Sequence, residues 1–481
     1  MRTEKDFIGE VKIPSEALYG IHSVRAKINF PDTTRFNQEW YKAMMTVKRA
    51  CYETALEFFT KANDQYNLSA TAIKYIDSPV ISLLIESASD CEKGDYYDQF
   101  IVPALSGGAG TSINMNVNEI IVNLALLKQG KKPGSYSIID PIEHANIFQS
   151  TNDVVPTALR VAAMRLLNQL EDSINKLRSK IEEKEIKYRN TLRIGYTQMQ
   201  EAVPTTFGKL FSTYNDALSR DWWRISKCYE RIKVVNLGGS AIGTSVTVPW
   251  FFVSEVVRVL HQITGLPVTR GENLSDATGN LDPVVEVHGM LKSHAVNLEK
   301  IANDIRLLGS DIHGSKIVEI PKKQVGSSIM PGKVNPVISE FVVTICNQVY
   351  SNDILITQLA AQGCLELNPY LPVIGHSLLN SLQMLIACNN TLGENLFEDL
   401  KINESESEKT FLKSPSIATI LLPFIGYNKA SELSKYMKEF NKDIYSANKD
   451  LQLIENEKLA EILRPENILK GGYRLKDILD K

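Results

Sequence analysis

The sequence has little that would suggest a nucleic-acid-binding, membrane or disulfide-stabilised protein. Its 53 basic and 56 acidic residues leave a formal net charge of −3 over 481 residues, so no basic excess is available to bind nucleic acid or an anionic membrane. No apolar run reaches the length of a transmembrane helix, and the N-terminus lacks the apolar region of a signal peptide. We therefore expect a cytoplasmic protein.

Cysteine is scarce and carries no recognisable pattern. The six residues show neither a C-x-x-C pair nor zinc-ligand spacing: Cys51, Cys91, Cys228, Cys346, Cys364 and Cys388. Several of them lie in apolar segments of the sequence, which predicts buried free thiols in a reducing compartment. H-E-x-x-H and other metal motifs are missing too, and His288 and His294 are expected to be packed or solvated. We predict no metal and no cofactor.

Few segments of the sequence have the pattern of a β-strand, whereas helical periodicity is frequent. One apolar stripe recurs at i, i+4, i+7 and i+11, formed by Leu170, Ile174, Leu177 and Ile181. A second stripe predicts a long helix before residue 309, formed by Val284, Val287, Leu291, Ala295, Leu298, Ile305 and Leu308. A further helix is expected from about Ile338 to Tyr350. The sequence thus predicts a mostly α protein with long helices.

The most distinctive stretch is the signature loop, residues 326–336, with the sequence GSSIMPGKVNP. It concentrates two hydroxyls (Ser327 and Ser328), one cation (Lys333) and one amide (Asn335) between conformationally special glycine and proline residues. Hydroxyl and N–H groups can bind a small anion, and a lysine can neutralise it. We interpret the stretch as a loop that closes over an anionic substrate.

Two apolar residues in this loop, Ile329 and Met330, would help to exclude water from the bound anion. A phosphate-binding P-loop is excluded because the glycine spacing is one residue too long and Val334 stands where Ser or Thr is required. Pro331 also removes an N–H group that a phosphate would need. An ordinary Gly/Pro connection between two helices remains the alternative.

Two further blocks place polar residues where helices are expected to begin. In residues 106–116 a glycine-rich turn places Thr111, Ser112 and Asn114 at the start of a helix. Such a helix start is a natural binding site for a carboxylate. A capped helix without a ligand would explain the same residues. In residues 144–156 the polar run from Ser150 to Asp153 precedes Pro156, which suits a first helical turn. Residues 236–244 are interpreted as a structural glycine turn.

The signature loop resembles that of the aspartase/fumarase superfamily, GSS-x-x-M-P-x-K-x-N-P, with every fixed position present. The runs Gly-Ala-Gly-Thr-Ser at 108–112 and Ser-Thr-Asn-Asp at 150–153 are similar to its aspartase branch rather than to fumarases. A fourth block, 195–204, resembles the family's G-R-T-[QH]-L-Q-D-A-x-P. The resemblance extends over essentially the whole chain.

This resemblance implies the family's architecture and assembly. We expect three mostly helical domains: an N-terminal domain at 1–148, a central bundle of long helices at 149–396 and a small C-terminal domain at 397–481. The family's proteins are homotetramers whose active sites take residues from three subunits, so a homotetramer with composite sites is implied here. No nucleic acid or membrane partner is implied.

The resemblance also implies a carbon–nitrogen lyase that converts L-aspartate reversibly to fumarate and ammonia. Ser327 would remove the Cβ proton, while Lys333, Asn335 and Thr197 would hold the α-carboxylate. Asn152 and Gln198 would receive the amine. The remaining donors would bind the β-carboxylate in which negative charge develops: Thr111, Ser150, Thr151 and Ser328. Met330 would cover the bound substrate.

Three departures from the family pattern leave the substrate open. Tyr196 stands where arginine is usual, Leu371 replaces a glutamate common in aspartases, and residues 309–322 lack the usual Gly-Pro-Arg run. The alternative is a lyase of the same mechanism acting on another amine or hydroxy acid, fumarase included. A third reading is a non-catalytic structural protein of the lens-crystallin kind, which the intact loop disfavours.

Overall fold

The computed structural model describes residues 1–66, 75–314 and 316–479. The chain divides into two compact units. Unit 1 comprises Met1–Glu171, Arg224–Lys292 and Gln348–Leu385, and unit 2 comprises Asp172–Trp223, Ser293–Asn347 and Ile386–Lys481. The three-domain division expected from the family resemblance stays a prediction.

Helices dominate the described residues, which confirms the expected fold class. The first group is α1 Ile21–Asn29, α2 Gln38–Gln65, α3 Ser78–Glu92, α4 Thr111–Lys128, α5 Thr151–Lys187, α6 Phe207–Ile232, α7 Trp250–Thr264, α8 Leu274–Gly279 and α9 Asp282–Leu308. The second group is α10 Val337–Ala360, α11 Leu371–Thr391, α12 Glu404–Lys413, α13 Leu422–Phe440, α14 Ile444–Leu451, α15 Asn456–Ile462, α16 Pro465–Leu469 and α17 Leu475–Leu479.

The strands are short and pair two by two. They are β1 Arg2–Lys5 with β2 Glu10–Ile13, β3 Leu192–Thr197 with β4 Gln200–Thr206, β5 Val234–Val235 with β6 Thr269–Arg270, and β7 Val318–Glu319 with β8 Lys401–Ile402. The β5–β6 pair is parallel and the others are antiparallel. Some strands contact neighbouring helices, as β3 contacts α12 and β6 contacts α7.

The core of unit 1 forms around α2. The helix begins where the side chain of Asn37 accepts hydrogen bonds from the N–H groups of Glu39 and Trp40, at 2.9 and 3.3 Å. Its buried face then packs against α3, α4 and α7. Trp40 is completely buried, and its indole N–H donates to the carbonyl of Val155 at 3.2 Å. Burial of such aromatic side chains is a main source of folding free energy.

The C-terminal part of unit 2 has its own apolar core. Residues from α12 to α15 pack together with Ile194 of β3: Phe411, Ile417, Ala418, Leu421, Leu433, Met437, Ile444, Ala447, Leu459, Ile462 and Leu463. This cluster holds the β3–β4 hairpin against the C-terminal helices, so the hairpin has a fixed base.

Both apolar stripes predicted from the sequence face the protein interior. Leu170, Ile174, Leu177 and Ile181 on α5 are at most 1% exposed. On α9 the first six stripe residues are buried, while Leu308 at the helix end is half-buried. The helix expected to end near Tyr350 instead runs to Ala360, and its buried face continues past Tyr350 at Asn352, Asp353 and Ile356.

Pro156 corrects one local prediction, because α5 begins five residues before it and Pro156 lies inside the helix. A proline there has no N–H group for the carbonyl four residues earlier, that of Asn152. The side-chain Nδ2 of Asn236 donates to that carbonyl at 2.8 Å instead. The glycine turn at 236–244 thus supplies the missing hydrogen bond, in agreement with its structural interpretation.

Two composition-based expectations also need correction. Five of the six free cysteines are buried, but Cys364 is exposed in the connection between α10 and α11. One stretch, Leu371–Phe397, is long and apolar enough to cross a membrane by length and composition. In the structure 61% of its most apolar segment is buried, and helices of a protein core meet the same criteria.

Candidate active site

The signature loop lies in unit 2 between β7 and α10, and its own backbone closes it. The N–H of Gly326 donates to the carbonyl of Lys333 at 3.0 Å, and Asn335 Nδ2 donates to the carbonyl of Gly326 at 2.7 Å. Position 326 has no room for a side chain, since a Cβ atom would lie 2.5 Å from the Lys333 carbonyl oxygen. The glycine is therefore required by this close approach.

Ser327 occupies a distinctive position within the closed loop. Its Oγ accepts hydrogen bonds from the backbone N–H groups of Ile329 at 3.2 Å and Met330 at 3.0 Å. Two N–H donors aimed at one hydroxyl oxygen stabilise negative charge on that oxygen, as the donors of an oxyanion hole do. The sequence could not show this arrangement.

The other loop residues present their side chains outward. Ser328 and Lys333 are exposed, and so are Ile329 at 84% and Met330 at 46%. Exposed apolar residues on a loop that also carries hydroxyl and ammonium groups are available to cover a ligand. The substrate-covering role predicted for Met330 stays a prediction.

Thr197 and Gln198 lie at the tip of the β3–β4 hairpin, also in unit 2. The two-residue turn places Gln198 and Met199 at φ values of 52° and 61°, a left-handed conformation that non-glycine residues rarely adopt. Thr197, Gln198 and Met199 are exposed. Positive φ at both central residues is the usual geometry of a two-residue hairpin turn, so this conformation follows from the strand pairing.

Tyr196, one of the departures from the family pattern, contacts another of them. Its ring packs edge-on against His313, with ring centroids 5.2 Å apart, and His313 belongs to the divergent segment 309–322. The guanidinium of Arg193 lies 6.0 Å from the centre of the Tyr196 ring. The two departures therefore form one local structure at the base of the hairpin tip. The third, Leu371, is a buried first residue of α11.

The starts of α4 and α5 meet in unit 1. Thr111 is the exposed first residue of α4, preceded by Gly110 at φ 90°. A Cβ atom on Gly110 would lie 3.1 Å from Val155 of α5, so glycine lets the two helix starts approach closely. One turn into α4, Asn114 Nδ2 donates to Thr151 Oγ1 at 3.3 Å. Two residues predicted as carboxylate donors thus lie at neighbouring helix N-termini.

Ser150 and Asn152 belong to the same region. The N–H of Asn152 donates to Ser150 Oγ at 3.2 Å, and Asn152 Nδ2 donates to the carbonyl of Ala241 at 2.8 Å. Asp153 accepts from the backbone of Ser150 at 2.9 Å and of Ser240 at 3.0 Å, and burial raises its pKa to about 7. Asp153 is thus a structural anchor for this segment.

One charged residue of this region, Lys48, has no sequence motif that would indicate a role in the site. Lys48 on α2 is completely buried, and burial lowers the pKa of its ammonium group to about 7. Its Nζ donates to Gln149 Oε1 at 2.8 Å and to Asn146 Oδ1 at 3.3 Å. The only sequence signal was a basic residue in the apolar run Ala-Met-Met-Thr-Val-Lys at 43–48.

His288 and His294 are packed, as expected. His288 Nδ1 lies 3.0 Å from Asp353 Oδ1, and His294 Nδ1 lies 2.9 Å from Asp221 Oδ2, with both rings fully buried. Residues 1–66, 75–314 and 316–479 contain no group of three or more His, Cys, Asp or Glu residues placed to hold a metal ion.

The site residues therefore fall into three local groups. In unit 1, Thr111, Ser150, Thr151 and Asn152 lie around the starts of α4 and α5. In unit 2, one group occupies the signature loop and another the hairpin tip: Ser327, Ser328, Met330, Lys333, Asn335, Thr197 and Gln198. Their assignment to base, carboxylate and amine stays a prediction.

Comparison with known proteins gives matches over the whole length of the chain. A lyase family model matches residues 9–351, and a model of the fumarase C C-terminus matches residues 417–470. An aspartate ammonia-lyase of Helicobacter pylori is 37% identical over 98% of both chains. Those of Bacillus subtilis and Escherichia coli K12 are 34% and 35% identical, over 100% of this chain and 98% of theirs.

Solved structures agree with this result. A fumarate lyase:delta crystallin from Brucella melitensis, bound to cobalt, has a TM-score of 0.88 at 32% identity, covering 98% of this chain and 100% of its own. A class II fumarase from Schistosoma mansoni has a TM-score of 0.85 at 26% identity with the same coverage. The fold and the matches define an enzyme of the ammonia-lyase class. The chain belongs to the lyase family of aspartases and fumarases, the aspartase/fumarase superfamily.

Proposed function

We propose that this protein deaminates L-aspartate reversibly to fumarate and ammonia, with Ser327 as the base that removes the Cβ proton. The observation that carries the proposal is the pair of backbone N–H groups on Ser327 Oγ. Serine alone is a poor base, and these donors favour its alkoxide form. The full-length aspartate ammonia-lyase relatives support aspartate as the substrate.

In this mechanism the Ser327 alkoxide takes the proton from the carbon next to the β-carboxylate. The electron pair of the broken C–H bond moves into that carboxylate, which becomes a doubly charged aci-carboxylate. The pair then returns to form the C=C bond as the C–N bond breaks and ammonia leaves. Because the Cβ proton is weakly acidic, stabilising the aci-carboxylate is the main catalytic task.

The unit 1 group supplies donors suited to that task. Thr111, Ser150 and Thr151 lie at helix starts, where hydroxyl groups and the positive end of the helix dipole favour negative charge. Ser328 joins them from the signature loop. Lys333, Asn335 and Thr197 hold the α-carboxylate, and Asn152 and Gln198 receive the amine.

We also propose a homotetramer with composite sites. The proposed residues follow or precede long helices, such as the 37-residue α5 and the 24-residue α10. Since each helical residue adds about 1.5 Å, the ends of one long helix are far apart. Contributions from neighbouring chains would bring the three groups to one substrate. A cytoplasmic location is proposed from the free cysteines.

A second candidate is a lyase of the same mechanism acting on a different amine or hydroxy acid. The contact between Tyr196 and His313 favours it, because this aromatic pair lies directly beside the residues proposed to contact substrate. An aromatic ring in place of a cation would suit a substrate with an added apolar group.

The test is to incubate the purified protein separately with L-aspartate, malate and argininosuccinate and to follow the absorbance of fumarate. Rapid fumarate formation from aspartate alone supports the first proposal. Formation from malate or argininosuccinate would instead assign the enzyme to another reaction of the family. No fumarate from any of the three would contradict both aspartate and fumarase activity.

A further inference from the structure

A buried lysine lies directly behind the residues proposed to bind the substrate carboxylate. Lys48 has no exposed surface, and its Nζ contacts the side-chain oxygens of two amides, Gln149 and Asn146. Leaving an ammonium group in the protein interior is unfavourable unless it is well solvated by partners. Lys48 therefore does more than fill space in the protein interior.

The amides around Lys48 form a chain of hydrogen bonds that ends at Thr151. Asn146 Oδ1 accepts from Lys48, from Asn114 Nδ2 at 3.0 Å and from Asn118 Nδ2 at 3.3 Å. The same Nδ2 group of Asn114 donates to Thr151 Oγ1 at 3.3 Å. The path therefore runs from Lys48 through Asn146 and Asn114 to the hydroxyl of Thr151, all within unit 1.

Lys48 favours one direction of donation along this network of hydrogen bonds. An ammonium group only donates, whereas an amide can present either its oxygen or its nitrogen. Facing Lys48, Asn146 must present its oxygen, and Asn114 must then present its NH₂ group to Asn146 and Thr151. Because Thr151 Oγ1 accepts from Asn114, its own hydrogen remains available for a different acceptor.

Gln149 and Asn146 are locked in the same orientation by the main chain. Gln149 Nε2 donates to the carbonyls of Ala145 and Ile147 at 3.3 and 3.1 Å, which leaves its oxygen for Lys48. Asn146 Nδ2 donates to the carbonyl of Gln149 at 3.1 Å. Reversing either amide would break these bonds as well as the contact with Lys48, so the main chain and Lys48 favour the same direction of the network.

We propose that Lys48 is a positioning residue that sets the direction of this network so that Thr151 donates its hydroxyl hydrogen to the substrate carboxylate. The proposal rests on the proposed function and adds a residue to it. Without Lys48 only the main-chain bond of Asn146 opposes its reversal, and a reversed Asn146 lets Asn114 turn its oxygen to Thr151. Thr151 would then donate to Asn114 and present only lone pairs to an anion. The buried positive charge also favours the dianion in this low-dielectric region.

The test compares two replacements of opposite character. Lys48→Met keeps the size of the side chain but removes every donor, whereas Lys48→Arg is larger but still only donates. We expect kcat/KM for L-aspartate to fall about tenfold or more in the Met variant and to be partly restored in the Arg variant. If Lys48 merely filled space, the Met variant would be the better enzyme, and that order would contradict the proposal.

Two further variants keep the test decisive if a Lys48 variant does not fold. Asn114→Asp can only accept when ionised, so it draws the Thr151 hydrogen away from substrate and should also lower kcat/KM about tenfold or more. Lys184→Met is the matched control, since Lys184 is a mostly buried lysine whose Nζ donates to the carbonyl of Glu398 at 2.9 Å in unit 2. Its kinetics should stay within a few-fold of the parent; a fall equal to that of Lys48→Met, or parent-like kinetics in Asn114→Asp, would overturn the proposal.

A pH profile adds a measurement that packing alone would not affect. Lys48 faces Cys51 on its own helix and Asp153 on α5, and burial holds the pKa of Lys48 near 7. The parent should lose kcat/KM as Lys48 deprotonates above about pH 7, and Lys48→Met should lack this alkaline limb. An identical limb in both proteins would count against the proposal.

If the parent does not act on aspartate at all, the proposed function fails, whereas an active parent with the opposite order of variants refutes the inference alone.

Discussion

The side chain of Asn335 donates a hydrogen bond from Nδ2 to the carbonyl oxygen of Gly326, 2.7 Å away. This bond joins the two ends of the loop that carries Ser327. It also occupies one of the two N–H bonds of the Asn335 amide, which leaves the other for a substrate carboxylate. Asn335 thus combines a structural contact with its proposed binding role.

Asn335→Asp should therefore open the loop. A carboxylate in place of the amide faces the Gly326 carbonyl with no hydrogen to donate, so the two oxygens repel each other. We expect kcat/KM for aspartate to fall about a hundredfold, with little change in Tm because the loop is largely exposed. Asn395→Asp, which breaks a side-chain hydrogen bond to Thr391, is the control and should retain activity. Parent-like kinetics in Asn335→Asp would show that loop closure does not depend on this bond.

Lys333 should affect binding more than turnover, because a cation on the α-carboxylate acts on the ground state and the transition state alike. Lys333→Ala should raise KM strongly. Lys333→Arg should restore only part of the affinity, since a planar guanidinium replaces a compact ammonium group. Steady-state kinetics with aspartate measure both effects. An unchanged KM in the alanine variant would place the α-carboxylate elsewhere.

His288 provides a prediction about stability rather than activity. Ser381 Oγ accepts from Asn352 Nδ2 at 2.9 Å, so its own hydrogen points to His288 Nε2, and the neutral ring donates from Nδ1 to Asp353. Burial lowers the pKa of His288 below its usual 6.5. Between the folded and unfolded pKa values the unfolded chain binds more protons, so this contribution to stability is present above pH 6.5 and is lost as the pH falls.

His288→Gln should lower the free energy of unfolding by about 1–3 kcal/mol at pH 7, because it disrupts buried hydrogen bonds. The loss of stability on acidification from pH 6.5 to 5 should also become less steep than in the parent. Denaturant titrations at several pH values measure both quantities. An equally steep acid dependence in the variant would mean that His288 is not the group responsible.

Composite sites make a prediction about mixtures of inactive chains. Ser327→Ala and Thr151→Ala chains, each nearly inactive alone, are unfolded together and refolded. If neighbouring subunits share sites, some sites in mixed tetramers receive both Ser327 and Thr151, and a fraction of the parent activity returns. Refolding each variant alone is the control. Mixed tetramers that form and remain as inactive as either variant would exclude sharing of these two residues.

Periodicity was sufficient to predict the helical class. The stripe from Leu170 to Ile181 reads as one buried face because a helix returns each of these residues to the same side. The start of α5 was misplaced because a proline in the first turn is usual, whereas Pro156 is accommodated here by Asn236, 80 residues away in sequence. Long-range contacts of this kind leave no local signal.

The same limit applies to the candidate site. Resemblance to the family located Ser327 and Lys333, whose sequence context is unmistakable, but not the two N–H groups on Ser327 Oγ, which depend on the path of the loop backbone. Lys48 was missed because a single lysine in an apolar helix gives no motif. Its importance follows from its complete burial and its partners Asn146 and Gln149, about 100 residues downstream.

The central claim is that Ser327 is the base, and turnover of Ser327→Ala on L-aspartate tests it most directly. Thermal unfolding should change little, because Ser327 lies on a largely exposed loop and its replacement leaves no buried cavity. Ser328→Ala is the neighbouring comparison and should lower kcat less, because the other donors to the aci-carboxylate remain. We predict that Ser327→Ala lowers kcat by at least about a hundredfold. A kcat within a few-fold of the parent, in a protein of unchanged Tm, would contradict the account.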